Sequence, residues 1–378
     1  MTGIKHFIAL LAPLCALLSC RGMTDDVHYA QSDSGPTLVL SNPYPAIGES
    51  ITATLSEIPS GASVTLDFGD GTTVSGSAGT HTYEDAGNYE ITASISSGGT
   101  VTTVSSVVKV EILALSRALQ NLHDGVDNTV WVMSHRANTE NYSIPENSIS
   151  AVNACIAAGA DMIETDTYVT SDGQVVICHD ATINRTTTGS GTIGDMDLAT
   201  IKSYFLLDRS GDKTGETMPT LREFLEACRG KIYVNLDYSP RTATSAQVYE
   251  IVRDCGMIEQ VTFFCEEASY VNELLALDPT VNILCSVDNG TEVISQGRAW
   301  MVRTSRNSAS DVIASVKKTG GVPNCTIMDS TTGDTVESTL AAGNDTKLRG
   351  IVERGTQVLM VDYTETVLGW LRSHGYHK

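Results

Sequence analysis

Met162–Asp180 reads MIETDTYVTSDGQVVICHD, and this stretch decides the fold. Its first run is apolar but carries Glu164 and Asp166. The two-residue period of a strand puts both carboxylates on one face, with Cα atoms about 7 Å apart, and turns Ile163 and Thr165 to the other. Asp172-Gly173 supplies a tight turn, and the run QVVICH returns to end at His179-Asp180. Buried carboxylates without a partner are costly, so the face holding Glu164 and Asp166 must meet a positive charge.

The same pattern repeats on either side. From Thr129 onward, short β-branched or apolar runs alternate with helical stretches: VWVMS, MIETD, QVVICH, KIYVNLDY, VTFFC, VNILC, AWMVR, NCTIM and TQVLMVD, with helices expected near 147–158, 219–229, 244–254, 267–277, 308–318 and 363–374. Strand and helix taking turns over this length predicts an α/β fold, a (β/α)8 TIM-like barrel over 129–378. Nine runs are one too many for such a barrel. The Asp172-Gly173 turn marks QVVICH as a hairpin strand outside the barrel's eight.

In a barrel strand, alternate residues face the lumen. In KIYVNLDY the apolar set Ile232, Val234 and Leu236 faces the helices, so Tyr233, Asn235 and Asp237 point inward. The same reading sends Glu164 and Asp166 inward and leaves His135 and His179 at the ends of their runs. Barrel enzymes keep their chemistry on that C-terminal face. Three converging carboxylates repel one another unless a cation neutralises them, and an all-oxygen set suits a hard divalent ion, Ca2+ or Mg2+, better than zinc. Two imidazoles there can serve as acid and base, and Arg136 can hold a phosphate oxygen. Taken singly, each has a plainer reading: a strand-end His is a hydrogen-bonded structural residue, Glu164 with Asp166 is a salt-bridged pair, and Asp180 caps the following segment.

The chain ahead of this region is different in character. Residues 1–19, with Lys5 and His6 before the apolar run Phe7–Leu18, predict a signal peptide, too short to span a bilayer as a stable anchor. The run ends in Leu-Leu-Ser-Cys, which resembles a bacterial lipobox, so Cys20 is expected to carry lipid and place the protein in the bacterial cell envelope, periplasmic or at the cell surface; the plainer reading is an ordinary signal peptide cut nearby. Residues 20–35 read as a flexible tether. Residues 36–112 alternate short runs with Gly, Asp, Asn and Pro clusters, which predicts a small all-β sandwich, and 113–128 reads as a linker with a short helix. The remaining cysteines, Cys155, Cys178, Cys228, Cys255, Cys265, Cys285 and Cys325, show no metal-site spacing and read as buried thiols. A formal charge of −21, from 45 acidic and 24 basic residues, argues against a nucleic-acid partner.

Two resemblances sharpen this reading. DFGDGTTVSGSAGTHTYEDAGNYEITASI resembles the PKD domain, an immunoglobulin-like extracellular module, through Asp67, Gly69, Asp70, Gly71, His81, Tyr83, Gly87 and Tyr89. Asp67 and Asp70 read either as turn residues bonding local backbone or as a calcium site, the turn being favoured. Such a module implies a spacer, or a binder of a glycan or a protein. The segments HRAN, PENSISAVNACIAAGADMIETDTYVTSDGQVVICHDATINRTTTGSG, PTLREFLEACRGKIYVNLDY and VLMVDYTE resemble, in that order, the glycerophosphodiester phosphodiesterase family, densely over 130–240 and thinly over 350–375. The resemblance implies His135 and His179 as the acid/base pair, Arg136 as the phosphate-binding arginine, and Glu164 and Asp166, with Asp237, as ligands of one divalent cation. Glu146 and Asn147, in the P-E-N position, join Arg136 in substrate binding.

Three residues depart from the family pattern. Ala137 stands where the family has Gly, Asp237 where it has Glu, and Ser239 where it has Lys. The expected activity is hydrolysis of a small or lipid-derived glycerophosphodiester to sn-glycerol 3-phosphate and an alcohol. The alternatives are a phospholipase C-like or inositol-phosphodiester-cleaving enzyme, or a non-catalytic envelope binding protein built on a degenerate barrel.

Overall fold

The computed structural model describes residues 35–84, 86–238, 242–286, 300–328 and 336–378. The expected signal peptide, the lipidation site Cys20, nearly all of the tether and Ser239 lie outside the described residues.

Two antiparallel sheets form the first module. Strands β1 (Thr37–Leu40), β2 (Ser50–Ser56) and β5 (Ala78–Thr82) pair in the order β1-β2-β5, and β3 (Ser63–Asp67), β4 (Thr73–Ser75), β6 (Gly87–Ser97) and β7 (Thr100–Val110) in the order β4-β3-β6-β7. Alternation does what it should: Ile51, Ala53 and Leu55 of β2 meet Leu66 of β3 and Ile91, Ala93 and Ile95 of β6 in one core with Phe68 and Tyr83. The acidic loop is a turn, as favoured. Asp67 accepts from the Gly69 N–H at 2.8 Å, and Asp70 accepts from the Thr72 N–H at 3.0 Å and meets His81 Nε2 at 2.6 Å.

The second module is a closed barrel. Its strands are β8 (Trp131–Ser134), β9 (Met162–Val169), β11 (Tyr233–Asp237), β12 (Val261–Cys265), β13 (Asn282–Ser286), β14 (Met301–Thr304), β15 (Val322–Thr326) and β16 (Val358–Val361). Every neighbouring pair is parallel, and β16–β8 and β8–β9 pairings close the ring. The ninth run is the hairpin the Asp-Gly turn predicted: β10 (Val175–Ile177) lies antiparallel on β9, with Gly173 at φ +80°. The seventh barrel strand begins at Val322, two residues before the expected NCTIM run, because Pro323 sits within it and masks its apolar period.

Helices form at every expected place, as α2 (Ile149–Ala158), α4 (Leu221–Cys228), α5 (Ser245–Asp254), α6 (Ala268–Leu277), α7 (Ser310–Lys318) and α10 (Thr364–Ser373), joined by α3 (Leu198–Lys202), α8 (Val336–Ala341) and α9 (Thr346–Glu353). Their ends are written locally. Thr220 with Glu223 and Thr244 with Gln247 form capping boxes, and α2 starts on Ser148 and stops at left-handed Gly159. One expectation needs correction. Residues 113–128 are part of the barrel module: α1 (Leu115–His123) buries Leu115, Leu119 and Leu122 against Met133, Met162, Tyr233, Phe264, Leu284, Met301, Val322 and Val358. Its apolar face packs against the N-terminal end of the lumen, opposite the strand ends that carry Glu164, Asp166 and Asp237.

Candidate active site

The turn after β8 sets the geometry. His135–Ala137 makes a tight helical turn in which Arg136 and Ala137 take φ of +53° and +52°. Left-handed backbone costs a residue with a Cβ about 1 kcal/mol or more. In return the Arg136 N–H donates to Glu164 Oε2 at 3.0 Å, and the Arg136 carbonyl accepts from the Asn147 N–H at 2.8 Å. Asn147 is left-handed too, at φ +57°. Ala137, which stands where the family pattern has Gly, takes this left-handed backbone while fully buried.

β9 and β11 carry the carboxylates. Their register pairs Glu164 with Asn235 and Asp166 with Asp237, so the three acids stack at the C-terminal end of adjacent strands. Oxygens of Glu164, Asp166 and Asp237 all lie within 4.8 Å of one another. The shorter Asp237 therefore still reaches the cluster. Glu164 is 3% exposed and Asp166 1%, and burial, then the charges of Asp166 and Asp237, drive the Glu164 carboxyl well above its ordinary range. An oxygen-only donor set under this repulsion fits a hard divalent cation.

Each candidate histidine is held through Nδ1. His135 Nδ1 meets Asp362 Oδ1 at 2.8 Å, and its Nε2 lies 3.9 Å from Glu164 Oε2. Burial opposes ionisation of Asp362, but the hydrogen bond and charge of His135 outweigh it and keep that carboxyl below its ordinary value. The Asp362 and Tyr363 N–H groups donate to Glu337 Oε1 at 2.7 and 2.8 Å, which fixes the loop carrying Asp362.

His179 Nδ1 meets Asp180 Oδ1 at 2.7 Å. Arg185 donates to Asp180 Oδ2 through Nε at 2.7 Å and to both oxygens of Glu146 at 2.8 Å. Arg185 first, then His179 against the cost of burial, holds Asp180 at about 2. Arg136 completes the chain, 3.6 Å from Glu146 and 3.9 Å from Asp166. A carboxylate at each Nδ1 favours the tautomer that carries its proton there, which makes Nε2 the basic nitrogen of each neutral ring.

Glu146, expected to bind substrate, holds Arg185 through both of its oxygens and lies 3.6 Å from Arg136. Asn147 Oδ1 accepts from the Thr165 hydroxyl at 2.9 Å and locks the P-E-N turn to β9. Asp180, which read alone as a cap, orients His179. Asp362, Arg185 and Glu337 were missed. Asp362 and Arg185 lay inside the recognised VLMVDYTE and RTTTGSG segments, where a carboxylate and a cation invite the search for partners. Nothing local in the sequence marked Glu337.

Residues 135–318 match the model of the glycerophosphoryl diester phosphodiesterase family, and residues 46–112 match a PKD domain. The glycerophosphodiester phosphodiesterase of Caldanaerobacter subterraneus is 40% identical over 108 residues, 28% of this chain and 44% of that protein. Human glycerophosphodiester phosphodiesterase 1 is 31% identical over 133 residues, 34% of this chain and 39% of that protein. The chain thus spans about four-tenths of the length of these curated relatives. Among solved structures, a glycerophosphoryl diester phosphodiesterase from Parabacteroides distasonis superposes with a TM-score of 0.61 at 19% identity, covering 70% of this chain and 94% of that one. A phosphodiesterase from Oleispira antarctica, in complex with the product sn-glycerol-3-phosphate, gives 0.53 at 18% identity, covering 65% and 97%. These structural likenesses establish the barrel. Residues 135–318 of the barrel are thus similar to the glycerophosphoryl diester phosphodiesterase family, and the module ahead of them is similar to a PKD domain.

Proposed function

We propose that the barrel hydrolyses glycerophosphodiesters to sn-glycerol 3-phosphate and an alcohol. One observation carries the reading: two imidazoles are each anchored through Nδ1 to their own carboxylate, His135 to Asp362 beside the acids Glu164, Asp166 and Asp237, and His179 to Asp180, which Arg185 and Glu146 link to Arg136 at the same cluster. Glu164, Asp166 and Asp237 would hold one divalent cation, Ca2+ or Mg2+, which supplies charge stabilisation at a phosphoryl oxygen when bound. His135 and His179 move the protons. One takes the proton of the substrate hydroxyl neighbouring the phosphate as that oxygen bonds to phosphorus, and the other gives a proton to the departing alkoxide as the ester bond breaks; water then opens the cyclic phosphodiester to sn-glycerol 3-phosphate with the two roles reversed. Arg136 orients the phosphate between them.

The supporting chemistry is that Asp362 and Asp180 each stabilise an imidazolium as it forms, and that Glu146 and Arg185 keep the His179 side rigid. A panel of glycerophosphodiesters and inositol lipids, assayed with calcium, magnesium or EDTA and with both products identified, tests the reading. Release of sn-glycerol 3-phosphate that stops with EDTA supports it. Release of an inositol phosphate selects the phospholipase C-like alternative, and binding with no turnover selects the non-catalytic one.

The lipobox-like Leu-Leu-Ser-Cys supports envelope anchoring through lipid on Cys20. Labelled palmitate that still appears on the Cys20→Ala protein refutes it. The PKD domain is read as a spacer, or as the binder of a glycan or protein ligand.

A further inference from the structure

Arg303 belongs to no part of the site assigned so far. It lies on β14, where its alternation with lumenal Met301 turns it into the barrel. The register places Arg303 beside Asn324 of β15 and Ser286 of β13. Its guanidinium carbon sits 3.9 Å over the ring of Phe264, and Phe264 is the register neighbour of Asp237. The side chain therefore leans back across β13 and β12 toward the acid triad. Burial works against its charge, and Asp237, then Glu164, with exposed Glu266 last, support it. Its buried Nε hydrogen-bonds nothing among the described residues, and neither does the fully buried amide of neighbouring Asn324. A guanidinium held in a lumen with donors unspent is an anion site by its chemistry.

We propose that Arg303 binds a non-bridging phosphate oxygen of the substrate, a role that rests on the diesterase reading above. Charge decides in its favour. Arg185 is committed to Glu146 and Asp180, and Arg136, 3.6 Å from Glu146 and 3.9 Å from Asp166, is one cation for the phosphate where two are called for. Asp237 and Glu164, which support Arg303, are themselves candidate cation ligands. A divalent ion on the triad takes over those carboxylates and leaves Arg303 a cation facing the phosphate. Three carboxylates with a divalent ion keep one negative charge, and a phosphodiester adds a second. Arg136 and Arg303 balance both. Stacking on Phe264 restricts the long side chain in advance, which lowers the ordering cost of binding.

The test is calorimetric titration of inorganic phosphate into the full chain saturated with calcium or magnesium, comparing wild type with R303M, R303Q and R303K. R303M keeps apolar contact with Phe264 and guards against a folding defect, which thermal melting checks. The dissociation constant for phosphate should rise roughly tenfold or more in R303M and R303Q and less in R303K, with divalent-ion affinity equal to or tighter than wild type. Phosphate affinity within about twofold of wild type in folded R303M overturns the proposal, as does a loss that only follows weakened divalent binding. Because phosphate is titrated directly, this result stands whether or not the wild-type chain cleaves a diester.

Discussion

The substitution Glu337→Gln should stabilise the barrel in a pH-dependent way. Glu337 is 2% exposed and accepts from two backbone N–H groups through one oxygen. Burial pushes its carboxyl up to about 7 from an ordinary 4.5; the N–H groups of Tyr363 and Asp362 pull it down, and the charges of Asp362 and Glu140 raise it further. Below about pH 4.5 both folded and unfolded chains hold the proton, so the group contributes no difference. Between 4.5 and 7 the unfolded chain ionises while the folded chain does not. Each rise in pH there favours unfolding, and the loss is complete above about 7. At about 1.4 kcal/mol per pH unit of separation, wild type loses about 3 kcal/mol across this window. The substituted amide does not titrate, and its oxygen can accept the same two N–H bonds. The stability difference between variant and wild type, from urea unfolding at pH 4.5 and pH 8, should therefore grow by about 3 kcal/mol in favour of the variant. A difference that stays constant within about 0.5 kcal/mol refutes the assignment of Glu337 as a buried, reluctantly ionised acid.

The remaining predictions concern the site itself. Changing His135 or His179 to Ala should lower kcat by about 100-fold or more with the fold intact by circular dichroism, and wild-type turnover in both variants would refute their roles. Asp237→Asn removes one of the three mutually repelling charges, so the protein in EDTA should melt higher than wild type, while the rise in melting temperature on adding calcium or magnesium should shrink. Arg185→Gln removes the guanidinium shared by Glu146 and Asp180, and the Asp180 carboxyl should climb from about 2 toward its ordinary 3.8, seen by NMR titration. Turnover should fall about tenfold as His179 loses its support. Ala137→Gly relieves a left-handed φ of +52°; after the extra freedom of Gly in the unfolded chain, it should stabilise the barrel by about 0.5 kcal/mol in urea unfolding.

The barrel was legible because its signals are local and repeated. Nine runs, one Asp-Gly turn and capped helices specify eight parallel strands and one hairpin, since period and turn chemistry act within a few residues. The lumenal placement of Glu164, Asp166 and Asp237 followed from strand alternation alone, as did their stacking at one end once adjacent strands paired in register. A short amphipathic stretch gives no sign of what it covers, so α1 passed for a linker when it is the floor of the lumen. Pro323 hid the start of β15 for a related reason, because a strand inside a closed ring tolerates what a sequence pattern penalises.

Which side chains meet across the barrel mouth was decided only by the tertiary structure. His135 finds Asp362 from a strand more than two hundred residues later, Arg185 bridges Glu146 and Asp180, and Arg303 leans over Phe264 toward the acids. Such pairings depend on barrel closure and on side-chain direction at strand ends. Neither leaves a periodic trace in the chain. The sequence by itself determined which residue types stand at the C-terminal face, because alternation is a property of single strands; the structure alone decided who neutralises whom there, because charge acts through space.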